Sequence, residues 1–302
     1  MKGLERMQLS LTGLSVGDAL GETFFGAGSE LEQRIKLREV PPAPWRYTDD
    51  TEMALSIVET LWRYGRIVPD ELAAGFARRY NSWRGYGAGA HRLLLRLQHG
   101  ADWQTEASQM FGGSGSYGNG AAMRVAPLGA YFAEDLETVR ENAILSAQPT
   151  HAHPEGIAGA IAVAVAAALA YRVGEGELMS GEEFLRQVAE NVPESETRSG
   201  INQAVEIPVT VSPMHVARQL GAGYRISAQD TVPFVLWCAA HHLDDYQETF
   251  WATVSGLGDM DTTCAIAGGI VALSARQKGI PTAWLEAREL FPEDFLSTPS
   301  PE

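Results

Sequence analysis

This sequence is short of several things, and each shortage excludes something. It has 2 cysteines in 302 residues, Cys238 and Cys264. Two cysteines supply neither a disulfide framework nor a cysteine-based zinc site, so a reducing compartment, the cytoplasm, is the expected setting. Basic charge is scarce too: 23 Lys and Arg stand against 38 Asp and Glu, a formal net charge of -15. Such a chain is not expected to bind nucleic acid through a broad basic face. An anionic ligand would need a local device such as metal ions, a helix N-terminus or a glycine loop. Long apolar runs are missing as well. The longest uncharged stretch made only of apolar and small residues, Gly156 to Tyr171, is too short and too rich in alanine and glycine to span a bilayer, and a buried helix is expected there. The first residues, Met1-Lys2-Gly3-Leu4-Glu5-Arg6, lack a signal-peptide layout. No period-two run stands out, which leaves an all-α class.

What the chain does have is two clusters of hard oxygen. Tyr47-Thr48-Asp49-Asp50-Thr51 sets two carboxylates after a hydroxyl, and Gly258-Asp259-Met260-Asp261-Thr262-Thr263 repeats the theme near the other end. Oxygen-only sets suit Mg²⁺, Mn²⁺ or Ca²⁺ rather than zinc or copper. Either cluster alone could be a helix N-cap with charges that favour the macrodipole. Meeting in space, they could hold a pair of cations about 3.5–4 Å apart. Both lead into apolar helical runs, Met53 to Leu61 and Ala265 to Leu273.

Most other segments carry helical spacing. Leu9 to Leu20 reads as a helix bearing Gly13, Ser15, Gly17 and Ala19, small residues that permit close packing. Asp18 and Glu22 share one face of it and could meet solvent or the proposed metal site. Gly26 to Trp45 reads as a loop. Helices are expected over Thr51 to Tyr64, over Asp70 to Tyr80 with Asp70 as N-cap, and over Ala90 to Leu97. Phe111-Gly112-Gly113-Ser114-Gly115-Ser116-Tyr117-Gly118-Asn119-Gly120 is a glycine loop feeding a helical start at Ala121. Glycine turns before a helix expose amide N–H groups that can cradle phosphate, and Phe111 and Tyr117 offer faces for a nucleobase. In Thr150-His151-Ala152-His153-Pro154 the two histidines cannot share a helical face, so one near a ligand and one at the surface is expected. Further helices are expected over Glu182 to Glu190, Ile201 to Val209, from Ser212-Pro213, Thr231 to Ala240 and Glu248 to Ser255. One domain over 1–292 and a frayed tail over 293–302 complete the expectation.

Taken together, the stretches Gly17-Asp18-Ala19-Leu20-Gly21, Tyr47 to Thr51, Gly115-Ser116-Tyr117-Gly118-Asn119-Gly120-Ala121-Ala122-Met123-Arg124, Thr150-His151 and Gly258 to Thr262 resemble the ADP-ribosylglycohydrolases, in that family's order. Gly85-Tyr86-Gly87-Ala88-Gly89, Ser116 to Asn119 and Leu145 to His151 look most like the branch that removes ADP-ribose from serine and degrades poly(ADP-ribose) and O-acetyl-ADP-ribose. The resemblance implies a single-domain helical fold around a binuclear Mg²⁺ centre, with Mn²⁺ as the alternative ion. It implies Thr48, Asp49, Asp50, Asp259, Asp261 and Thr262 as metal ligands. It implies Gly115, Ser116, Tyr117, Gly118, Asn119 and Gly120 around the diphosphate and adenosine, Phe111 and Tyr117 as the adenine sandwich, and His151 near phosphate and ribose. The implied partner is ADP-ribose or an ADP-ribosylated protein, met by a monomer.

One position departs from the pattern. The serine branch carries a catalytic glutamate where Phe25 stands here, and Glu22, three residues earlier, is left to take over. Leu257 and Met260 also replace smaller residues without removing a ligand. Cleavage at C1″ of the distal ribose calls for a carboxylate acid or base, with Glu22, Asp49 and Asp50 as candidates. The rivals are hydrolysis of ADP-ribosyl-arginine and an ADP-ribose-binding protein that kept the metals and lost the base.

Overall fold

Helix starts in this chain are marked by short polar side chains that take up free amide N–H groups. Asp102, Asp135, Ser180, Ser195 and Asp245 each accept such a bond from two or three residues on. The computed structural model describes residues 2–275, 278–293 and 295–296. The helices are α1 (Gly3–Glu22), α2 (Leu31–Leu37), α3 (Asp49–Tyr64), α4 (Pro69–Arg79), α5 (Ala88–Gln98), α6 (Trp103–Gly113), α7 (Ala126–Tyr131) and α8 (Leu136–Ala147). There follow α9 (Pro154–Gly174), α10 (Gly181–Asn191), α11 (Glu196–Val205), α12 (Pro213–Leu220), α13 (Ala228–His241), α14 (Tyr246–Val254), α15 (Met260–Val271) and α16 (Thr282–Ala287). Among the described residues, strand-like pairing is limited to two isolated bridges, Trp45 with Arg288 and Gly118 with Ser227. The all-α expectation holds.

The uncharged stretch forms the middle of the molecule. Every residue of α9 from Ala158 to Ala170 is buried, and α7, α8, α10, α11, α13 and α15 pack around it. By length and composition α9 could cross a membrane, but its apolar window is 83% buried against protein. A helix hydrophobic all round belongs in such a core.

The contact that shapes the site is between α1 and α15. Gly13, Gly17 and Gly21 recur every fourth residue along one face of α1. A Cβ at any of the three would fall closer than 3.0 Å to backbone atoms of Gly268, Cys264 or Met260. Without side chains the two backbones touch, as small residues allow. This close approach sets Asp18 and Glu22 beside the start of α15.

Several boundaries differ from expectation. Gly26 to Trp45 is not a plain loop: a 3-10 segment over Thr23–Glu30 and then α2 lie within or across it, because Ile35 is buried against the core. Asp70 is not the cap of α4. Val68 takes that place, proline leads the first turn, and Asp70 instead accepts from the Trp103 indole at 2.7 Å. No long helix starts at Ala121, where a 3-10 turn (Asn119–Ala121) precedes α7. Helix α11 begins earlier than Ile201, capped by Ser195, and stops at Val205 ahead of Pro208. Of the expected tail, residues 294 and 297–302 lie outside the described residues.

Candidate functional site

The first acidic cluster is built by Asp18. Its carboxylate, fully buried on α1, accepts from the N–H of Thr48 at 3.0 Å and of Thr51 at 3.1 Å, and from their hydroxyls at 2.8 and 2.5 Å. These are free donors at the start of α3, so Asp18 caps that helix from another element. The cap fixes where Asp49 and Asp50 emerge. Thr48 is also the local N-cap, its hydroxyl accepting from the Asp50 N–H at 3.3 Å.

The second cluster closes on the first. Carboxylate oxygens of Asp18, Asp50 and Asp261 lie within 4.8 Å of one another. The Thr262 hydroxyl is 3.4 Å from Asp50 Oδ2. Asp259 is held by the side-chain amide of Asn119, which donates at 2.8 Å. Glu22, one turn beyond Asp18, lies close enough for its charge to act on Asp261 and to feel Asp18 and Asp259.

So many carboxylates resist ionising together. Burial, then repulsion from Asp18, pushes Asp49 up to about 8. Burial lifts Asp18 to about 6, against the pull of its four donors. Asp50 and Asp261 are raised well above the usual range by burial, then by Asp261 and Asp259 respectively. Burial, then Asp18, also raises Glu22. The Thr48 hydroxyl sits 2.8 Å from an oxygen of both Asp18 and Asp50, yet it has one proton to give. Asp50 Oδ1 and Asp261 Oδ1 are buried with no hydrogen-bond partner among the described residues. Orphaned anionic oxygens in an all-oxygen cluster fit a hard divalent cation, which would supply the missing positive charge.

Next to this cluster lies the glycine loop. Its start is irregular: Met110, Phe111 and Gly112 leave helical geometry, with Phe111 at φ +51°. Asn119 N–H donates to Ile226 O and Ala228 N–H to Tyr117 O, tying the loop to the start of α13. Phe111 and Tyr117 are 56% and 40% exposed, with ring centroids 5.6 Å apart. Exposed aromatics in contact with each other form a ready surface for a flat apolar ring. Ser116 Oγ accepts from the Gly118 N–H at 3.2 Å, and among the described residues no acceptor takes its own proton. His151 is buried, and its Nε2 faces Gly118 and Gly120, where a Cβ would come within 3.4 and 3.3 Å. Burial, then Arg124, lowers His151 to about 3, so the ring is neutral at pH 7. Segment 85–89, which runs into the first turn of α5, joins the two ends: Gly85 faces the Asp49 carboxylate and Gly89 faces Phe111.

A model of the family described as ADP-ribosylglycohydrolase matches residues 2–298. The chain belongs to this family. Among curated relatives, it is 30% identical to the ADP-ribosylhydrolase ARH3 of Homo sapiens, over 98% of this chain and 93% of that one. The same-named protein of Mus musculus is 29% identical over 97% and 90%. An uncharacterized protein of Archaeoglobus fulgidus is 30% identical over 93% and 91%. A solved structure titled ADP-ribosylglycohydrolase-related protein complex superposes with a TM-score of 0.69 at 25% identity, covering 95% of this chain and 93% of that one.

Within this ADP-ribosylglycohydrolase fold, Thr48, Asp50, Asp259, Asp261 and Thr262 come together, with Asp49 at the cluster's edge. Phe111, Ser116, Tyr117, Gly118, Gly120 and His151 gather around the glycine loop. Asn119 is in the loop, but its amide nitrogen is spent inside the protein on Asp259 and on Thr231 at 3.1 Å. Of the two histidines, His151 faces the loop while His153 caps α9 and touches the Tyr117 ring edge-on. Phe25 is exposed, whereas Glu22 adjoins the acidic cluster. Sequence reasoning left the place of Asp18 open and gave Thr51 and Arg124 no role. The available signal was the small residues flanking Asp18, which mark the face of α1 that meets α15.

Proposed function

We propose that this ADP-ribosylglycohydrolase releases ADP-ribose from protein adducts by hydrolysing the bond at C1″ of the distal ribose, with serine-linked ADP-ribose as its first substrate. Poly(ADP-ribose) shares that linkage at C1″, and O-acetyl-ADP-ribose is the small-molecule candidate. The observation that carries the reading is the continuity of the site. A buried set of hard-oxygen donors adjoins a glycine loop with free donors, and the loop ends in an exposed aromatic pair. Cation, diphosphate and base would occupy these in turn. The naming of the curated relatives as ADP-ribosylhydrolases supports the same activity.

Thr48, Asp49, Asp50, Asp259, Asp261 and Thr262 would hold two divalent cations, Mg²⁺ or Mn²⁺. When bound, these supply Lewis acidity and neutralise charge at the ribose hydroxyls and the departing group. The chain's own residues do the rest. Phe111 and Tyr117 orient the adenosine, and Ser116 and His151 donate toward the diphosphate. In the reaction the C1″–O bond to serine breaks and a water oxygen bonds to C1″. One proton of the water passes through a carboxylate to the serine oxygen, which leaves as a hydroxyl, and the carboxylate returns to its starting state. Glu22 is our choice for that carboxylate. Its exposed position and its raised proton affinity let it take up a proton beside the cluster without being buried in it.

Free ADP-ribose released from a serine-ADP-ribosylated peptide, with Mg²⁺ and then with EDTA, tests this. Metal-dependent release that is lost in Glu22→Gln supports it. Equal or faster release from an arginine-linked peptide would move the acceptor to arginine. Because Phe25 departs from the serine branch, one rival reading has specific support: tight ADP-ribose binding with no turnover would make the protein a binder.

A further inference from the structure

Arg124 is a buried cation that the proposed chemistry does not use. It has no exposed surface, and among the described residues its hydrogen bonds go to neutral acceptors only, the Asp49 charge acting on it without a direct bond. Its guanidinium lies 4.3 Å from the Phe76 ring centre and donates to Ser146 O at 2.9 Å, to Thr150 Oγ1 at 2.8 Å and to Met53 Sδ at 3.5 Å. Burying a charge among neutral acceptors is costly and calls for a compensating use. The third group in line is His151, whose Nδ1 is 2.7 Å from the same Thr150 hydroxyl.

The direction of that last bond follows from what the Thr150 hydroxyl, already accepting from Arg124, gives best. Thr150 Oγ1 accepts from Arg124, so its single proton goes to one neighbour. The choices are Ala147 O at 3.4 Å and His151 Nδ1 at 2.7 Å. A donating Nδ1–H would send the Thr150 proton to the 3.4 Å contact, whereas Arg124, by donating to Oγ1, polarises the hydroxyl toward giving its proton at the short one. With Nδ1 accepting, the neutral ring carries its proton on Nε2. Nε2 has no hydrogen-bond partner in the protein among the described residues, and it faces Gly118 and Gly120 beside Ser116 Oγ.

We propose that Arg124, acting through Thr150, locks His151 in the tautomer whose Nε2–H points into the glycine loop, as a fixed donor for the diphosphate of the ligand. Arg124 and Thr150 are thus positioning residues, and they touch no substrate atom. The chain makes the loop receptive to an anion by orienting a neutral donor. It does not place a cation in the loop, where the neighbouring carboxylates would compete for it. The tautomer assignment stands on geometry alone; the diphosphate as target rests on the function proposed above.

The test uses the full chain with ¹⁵N-labelled histidine, the His151 signals being assigned by their loss in His151→Gln. The expected spectrum has a pyridine-type Nδ1 and a pyrrole-type, protonated Nε2. Thr150→Val should mix the tautomers and weaken ADP-ribose binding about tenfold, the scale of one misplaced hydrogen bond to a charged acceptor. Thr150→Ser should restore both. Adenosine, which lacks the diphosphate, should bind all three proteins equally. A protonated Nδ1 in the wild type would overturn the proposal. So would a Thr150→Val protein with unchanged tautomer and affinity. If the wild type binds adenosine but not ADP-ribose, the functional reading fails, and the spectrum still decides the relay separately.

Discussion

Gly17→Ala isolates the contact that assembles the acidic cluster. On helix propensity alone the change should stabilise α1 by about 1 kcal/mol, because glycine is a poor interior helix residue. The tertiary structure predicts the opposite sign. A Cβ at Gly17 would lie 2.7 Å from the Cys264 carbonyl carbon and closer still to its oxygen, whereas ordinary contact begins at 3.4 Å. The obstacle is backbone inside α15, so no side chain can swing aside. The two helices must part by about 1 Å, an overpacking that costs about 1–3 kcal/mol or more. The parting also draws Asp18 away from Asp261. The expected result is a melting temperature lowered by several degrees, with about 2–4 °C per kcal/mol usual for 150–250 residues. Mg²⁺ affinity, read by calorimetry on the folded variant, should fall as well. Gly75→Ala on α4 is the control. Its Cβ would sit 3.5 Å from the Ser56 Cβ, an ordinary contact, so the variant should be neutral or up to about 1 kcal/mol more stable. A Gly17→Ala protein as stable as Gly75→Ala, with unchanged Mg²⁺ affinity, would show that the α1–α15 contact does not assemble the cluster.

Three other outcomes follow from the site. The metal-free protein should lose stability as pH rises from about 4 to about 8. Folded Asp18 and Asp49 hold protons up to about 6 and about 8, the unfolded chain releases them near 3.9, and so the folded state binds more protons across that range. Melting curves in EDTA should show this slope, and Mg²⁺ should flatten it; a flat profile in EDTA would contradict the mutual repulsion. Asp261→Asn should raise the metal-free melting temperature at pH 8, by the equivalent of about 1 kcal/mol, while abolishing the added stability from Mg²⁺; a lower metal-free melting temperature would count against it. Tyr117→Ala should weaken adenosine binding by about 1–3 kcal/mol, the worth of one stacked base, and leave Mg²⁺ affinity alone; unchanged adenosine binding would remove Tyr117 from the base site.

The sequence by itself determined the helices and the chemistry of the ligand set. Helix formation is local: apolar spacing, capping Asp and Ser, and proline in a first turn act within a few residues, and they placed most elements correctly. The errors fell where a tertiary contact overrode the local signal. One was α2, stabilised by burial of Ile35, and another was Asp70, drawn to the Trp103 indole. The oxygen-only clusters and the glycine loop were legible too, because hard donors and flexible backbone are properties of residue types. The tertiary structure alone decided what these groups do to one another. Asp18 caps α3 from α1, Asn119 turns inward to hold Asp259, and Arg124 reaches His151 through Thr150. These contacts join residues far apart in the chain. The meeting of Asp18 with Asp261 depends on two helices approaching to backbone contact along Gly13, Gly17 and Gly21, and a small-residue spacing permits that approach without naming the partner helix.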